Sequence, residues 1–96
     1  FDAVICQNDV LARGCIEELE RNGCRVPQDV AVIGHDNSPD YVSYAHPLLT
    51  SIDDNNEMLG RQAAQCLLDA IAGHPHHGVE RVPVKLIQRE STLPLD

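Results

Sequence analysis

Two apolar runs in this chain end abruptly in polar residues, Ala3-Val-Ile-Cys-Gln-Asn-Asp9 and Val30-Ala-Val-Ile-Gly-His-Asp36. In a parallel α/β sheet, ligands bind beyond the carboxyl ends of the strands. Asn8 and Asp36 can therefore stand side by side in one cleft, with His35 lining it after Gly34. An amide offers a donor and an acceptor, and a carboxylate offers two anionic acceptors. Together they suit a hydroxyl, which both donates and accepts. The chemistry is recognition of a small polar molecule, not turnover. A plainer reading stands beside it, in which Asn8 only caps a helix and Asp36 only turns a loop.

Other groups have less to offer. Asp53 and Asp54 follow a third strand ending. One is expected to cap the next helix, since acids favour helix starts, while the other faces the cleft. No Gly-x-Gly phosphate loop is present, and no Ser-His-Asp or Cys-His arrangement falls at strand ends. The four cysteines, Cys6, Cys15, Cys24 and Cys66, include no Cys-x-x-Cys pair. They read as free thiols in a reducing compartment, and no metal site or cofactor is expected. The tract Gly73-His-Pro-His-His-Gly78 reads as a surface turn with at most adventitious metal affinity.

The elements that must position these residues are legible in the pattern. Residues 3–7 and 30–34 read as buried parallel strands because their runs are nearly continuous rather than alternating. Residues 9–22 read as a helix with Leu11, Cys15, Ile16 and Leu19 on one face, capped by Asn8 or Asp9 and stopped at Gly23. The strand–helix–strand unit fits a right-handed crossover. Residues 37–49 read as a long loop in which Tyr41, Tyr44, Pro47, Leu48 and Leu49 either meet a partner or pack back on the sheet. A short strand at 50–52 follows. Asp54-Asn-Asn-Glu57 has capping-box spacing and opens a helix over 55–72. That helix is expected to bury a wide stripe of Met58, Leu59, Ala63, Cys66, Leu67, Ala70 and Ile71. Residues 82–87 read as a last strand, in which Pro83 favours an edge position or the strand start.

Ninety-six residues make one domain or part of one. A domain of this size buries only about 60–65% of its extended-chain surface. The chain opens inside an apolar strand, which suggests a piece of a longer protein. Its 15 acidic and 7 basic residues give a formal net charge of -8, which repels phosphate backbones and disfavours direct nucleic-acid binding. No apolar stretch reaches the roughly 20 residues of a membrane span, so no membrane partner is expected.

Taken in order, Ala3 to Asp9, Val26 to Asp36, Pro47 to Ile52 and Gln88-Arg-Glu-Ser-Thr92 resemble the lactose-repressor/galactose-repressor family of bacterial transcription regulators. Arg25 to Asn37 carries the most specific likeness, and Leu59-Gly-Arg-Gln-Ala-Ala64 also fits. The resemblance covers essentially the whole chain. It implies an α/β fold, a partial doubly wound and mostly parallel sheet with about two main helices. Residues 1–96 would form the C-terminal portion of a periplasmic-binding-protein-like effector domain. It implies a small polar effector, sugar or nucleobase-like, held between two lobes. Asn8 and Asp36 fall on effector-holding positions, and Asp54 on one where an amide is commoner. Arg13, Tyr41 and Tyr44 fall near the dimer interface, so a homodimer is implied. Operator DNA would be met only by a segment outside this chain, and the N-terminal lobe would likewise lie outside it, in a cytoplasmic protein. An exported sugar-binding protein of the same fold is the main alternative, and an α/β enzyme a lesser one.

Overall fold

The computed structural model describes residues 1–94. In chain order the elements are β1 (Ala3–Ile5), α1 (Asp9–Arg21), β2 (Ala31–His35), α2 (Pro39–Val42), β3 (Thr50–Asp53), α3 (Asn56–Ile71) and β4 (Lys85–Ile87). One sheet runs β1-β2-β3-β4. The first three strands are parallel, with Ile5 beside Ile33 and Ile33 beside Thr50, while β4 returns antiparallel with Ser51 beside Ile87. β4 is an edge strand. It begins only at Lys85, two residues past Pro83, which cannot donate to the ladder.

The core lies on one face of the sheet. Ala12 and Ile16 of α1 pack over Val32, with Val26, Val42 and Leu49 around them. Gly34 permits the close approach of α1 to β2. A Cβ there would fall onto the Asp9 carboxylate and lie 3.0 Å from Leu49 Cδ2 and 3.3 Å from Ala12 Cβ. Of the expected face of α1, Ile16 is buried and Leu19 packs against the core, while Leu11 lies exposed and Ala12 takes its place.

The closing motif has a structural task. Ser91 is fully buried where β2 and β3 begin to diverge. Its Oγ donates to Val32 O (2.6 Å) and accepts from Thr50 N (2.8 Å), and its carbonyl accepts from Val32 N (2.9 Å). One serine thus satisfies backbone groups of both strands before their own ladder starts at Ile33 and Thr50.

Two expectations need correction. The near-continuous apolar runs predicted a sheet covered on both faces, yet Ile5 is 72% exposed and Leu86 is 51% exposed. α3 was expected to bury a wide stripe, yet it has no buried residue, and Leu67, Leu68 and Ile71 lie bare. Amphipathicity records what a helix is suited to bury, and no other helix or strand among the described residues packs on that stripe. α3 therefore projects from the body. The molecule extends 60 × 27 × 18 Å with a radius of gyration of 17.5 Å, against about 12–13 Å for a compact domain of this length.

Candidate functional site at the carboxyl ends of the strands

β2 ends in Gly34-His35, and the chain then turns through two left-handed residues, Asp36 (φ 104°) and Asn37 (φ 53°). Such conformations cost about 1–3 kcal/mol each for residues with a Cβ and persist only where surroundings enforce them. The enforcing bonds are all present. Asp36 N donates to Ile52 O (2.9 Å) and Asn37 N to Ser51 Oγ (3.0 Å). Asn37 Nδ2 donates to Asp53 Oδ2 (3.0 Å), and Arg89 Nη2 donates to Asn37 Oδ1 (2.7 Å). Arg89 Nη1 also holds Leu49 O at 2.8 Å, which ties the turn to β3.

Beneath the turn lies Asp9, which is 1% exposed. Its Oδ2 accepts from Ser38 N (2.6 Å) and its Oδ1 from Ser51 Oγ (2.6 Å). A buried carboxylate demands such partners, and the first turn of α1 adds a favourable dipole. Asp9 therefore links α1, the turn after β2 and β3 in one network.

On this base the structure gathers three of the four expected ligand residues. His35 Nε2 lies 3.1 Å from Asp54 Oδ1, and His35 Nδ1 lies 3.3 Å from Asp36 Oδ1. One donor atom from each side chain falls within 4.8 Å of the others, a set able to take a cation or a ligand donor. The Asp36 side chain is about half exposed (51%) and that of Asp54 less so (23%). Asn8 occupies the position after β1 that Asp36 occupies after β2, three residues beyond the paired Ile5 and Ile33. Its Oδ1 caps α1 by accepting from Leu11 N at 2.8 Å, which leaves its Nδ2 amide as the group to offer a ligand.

The expected capping box is not formed. Asn55, left-handed at φ 56°, stands at the N-cap of α3 with no side-chain cap bond, and this offsets the helix start from Asp54. Asp54 turns to His35 instead. Asp53 accepts from Asn55 N (2.8 Å) as well as from Asn37, and these two bonds, the backbone one foremost, hold its carboxyl below the usual range. Sequence reasoning missed Asp9, Asn37, Ser51 and Arg89 as the scaffold of this site. Their only signal was placement at strand ends and helix starts.

Arg13, Tyr41 and Tyr44 also come together. Arg13 is 3% exposed. Its Nε and Nη2 donate to Tyr41 O (3.2 and 2.9 Å), its Nη1 donates to Pro47 O (3.0 Å), and its guanidinium lies 5.1 Å from the Tyr44 ring centroid. The Tyr41 and Tyr44 rings meet edge to face at 6.3 Å. Tyr44 Oη donates to Glu17 Oε1 (3.3 Å), and desolvation, then the neighbouring Glu17 charge, raises its phenol pKa. The 37–49 loop therefore packs back on α1, with Tyr44 left 56% exposed.

Comparison with known proteins agrees with the fold. Residues 2–92 match the periplasmic binding protein-like domain. The HTH-type transcriptional repressor CytR of Escherichia coli (strain K12) is 38% identical over 94 residues, covering 97% of this chain and 27% of the relative. A transcriptional regulator CelR–cellobiose complex superposes with a TM-score of 0.82 at 37% identity, over 94% of this chain and 28% of that one. The lac repressor dimer bound to operator and the anti-inducer ONPF gives 0.89 at 32% identity, over 97% of this chain and 32% of that one. The chain thus spans about a quarter to a third of the length of the relatives it matches. By these matches the chain belongs to the lactose-repressor/galactose-repressor family and carries part of its periplasmic-binding-protein-like domain.

Proposed function

We propose that this chain is the effector-sensing part of a cytoplasmic, DNA-binding transcription regulator, and that Asn8, His35, Asp36 and Asp54 hold a small polar effector. The observation that carries the reading is the convergence of His35, Asp36 and Asp54 beside a turn held left-handed by four hydrogen bonds. A strained, fully supported turn that presents a half-exposed acid, Asp36, suits a recognition site. Sugar hydroxyls fit these groups, and one relative is described in complex with cellobiose.

The effector bridges this lobe to a second lobe outside the chain. It shifts the closed state only by as much as it binds that state better. Operator DNA is met through a segment outside the chain, in keeping with the net charge of -8. The protein works as a homodimer. Arg13, from within, and Tyr41 and Tyr44 shape a face that meets the second protomer, joined by exposed Val10 and Leu11 of α1.

The test is Asp36→Ala in the full-length regulator, titrated calorimetrically with a panel of mono- and disaccharides and nucleosides. Losing a charge-assisted hydrogen bond of about 1.5–3 kcal/mol weakens effector binding by roughly 10- to 150-fold while operator affinity without effector is unchanged. Unchanged effector affinity would overturn the assignment.

A further inference from the structure

α3 ends at Ile71, and the chain turns through Gly73 (φ 88°) and Gly78 (φ 92°) before running back along the helix. That return lays His76 and Glu80 against Cys66 and Asp69, which stand one helical turn apart on the same face. A cleft of about 180 Å³ between helix and returning segment is lined by Leu59, Gln62, Ala63, Cys66, Glu80 and Val82.

The donors in this corner are ordered. Asp69 Oδ2 lies 2.6 Å from His76 Nε2. An ionised carboxylate only accepts, so Nε2 carries a hydrogen toward Asp69, and without a metal Nδ1 carries one toward Glu80. There Glu80 Oε1 lies 3.0 Å from Nδ1, and the Cys66 thiol completes a set of one sulfur, one imidazole nitrogen and one carboxylate oxygen within 4.8 Å of one another. A metal ion bound by these three atoms replaces the protons that Nδ1 and the thiol otherwise share with Glu80. Ligands on a tetrahedral zinc ion stand about 3.3–3.8 Å apart, so small side-chain rotations close the set. A thiolate and an imidazole beside one carboxylate select a borderline divalent ion such as zinc over magnesium or calcium, which take oxygen ligands.

The geometry points to a zinc-class site in which Cys66 Sγ, His76 Nδ1 and Glu80 Oε1 bind the metal. Asp69 is the positioning carboxylate that orients the His76 ring, the arrangement that supports metal-bound histidines generally. The fourth position takes water. The bound ion staples the C-terminal half of α3 to the segment that leads into β4, and so fixes the one helix that the body of the molecule does not hold.

The test is cobalt(II) titration of the reduced full chain, followed by competition with zinc. A 1:1 complex with a thiolate-to-cobalt charge-transfer band is expected. Cys66→Ser abolishes the band, and His76→Gln or Glu80→Gln weakens binding at least about tenfold. Asp69→Asn weakens it about 10- to 100-fold with the band's shape retained. The double variant His74→Gln/His77→Gln binds as the parent does. All four side chains are at least partly exposed, and circular dichroism confirms that each variant keeps its helices. Absence of the band, its persistence in Cys66→Ser, or a loss of affinity that follows His74 and His77 instead would overturn the site.

Discussion

At the residue scale, the turn after β2 depends on what lies under it. Gly34→Ala would drive a methyl into an Asp9 carboxylate that two hydrogen bonds hold in place. The carboxylate cannot swing aside without leaving Ser38 N and Ser51 Oγ unpaired. The variant is expected to lose about 1–3 kcal/mol in urea unfolding and to weaken effector binding with it. A separate residue-scale test concerns Asp29, whose carboxyl is brought down to about 2, first by the Arg25 guanidinium and then by the Arg25 amide. The folded pKa is below the unfolded one, so this pair's contribution is complete above the unfolded pKa of about 4 and fades as pH falls toward 2. Carboxyl NMR should place the Asp29 midpoint near 2, returning to the ordinary range in Arg25→Ala. At this scale the sequence was only partly legible. His35, Asp36 and Asp54 were visible as polar residues at strand ends. Asp9 was visible only as a cap, because nothing in a linear pattern says that Ser38 and Ser51 will reach it from 29 and 42 residues away.

At the scale of elements, Arg13 governs the 39–47 loop. It is a buried cation with no carboxylate partner among the described residues, satisfied by the carbonyls of Tyr41 and Pro47 and the face of Tyr44. Arg13→Ala should cost about 2–4 kcal/mol, since it empties a buried site and orphans those carbonyls. Amide hydrogen exchange should quicken first in residues 39–47, while β1 and β2 keep their protection. α3 makes the opposite prediction. Leu67→Ser with Ile71→Ser should shift the unfolding free energy of the 96-residue chain by less than about 0.5 kcal/mol per site, as for surface positions. Ile16→Ala, in the core, should cost about 2–5 kcal/mol. The strands, α1 and α3 were readable from periodicity and breakers. The burial of α3 was not, because its apolar stripe names no partner.

At the scale of the whole molecule, the elongated outline and the uncovered sheet face share one cause. The pattern of Ala3–Ile5, Ile33 and Leu86 suits a sheet with two covered faces, while α1 and α2 cover one. The family likeness, carried by motifs in sequence order, set the architecture well before any coordinate did. Which side chains would meet at the cleft needed three dimensions, since the Asp54–His35 contact depends on the left-handed Asn55 that displaces Asp54 from its capping place. A crystal structure of the full-length regulator with its effector tests the central claim most directly. The effector is expected at the carboxyl ends of β1 to β3, with a polar group within hydrogen-bond distance of the Asp36 carboxylate and another near the Asn8 amide. An effector seated elsewhere, or one in the cleft that leaves Asp36 facing water, would contradict the account.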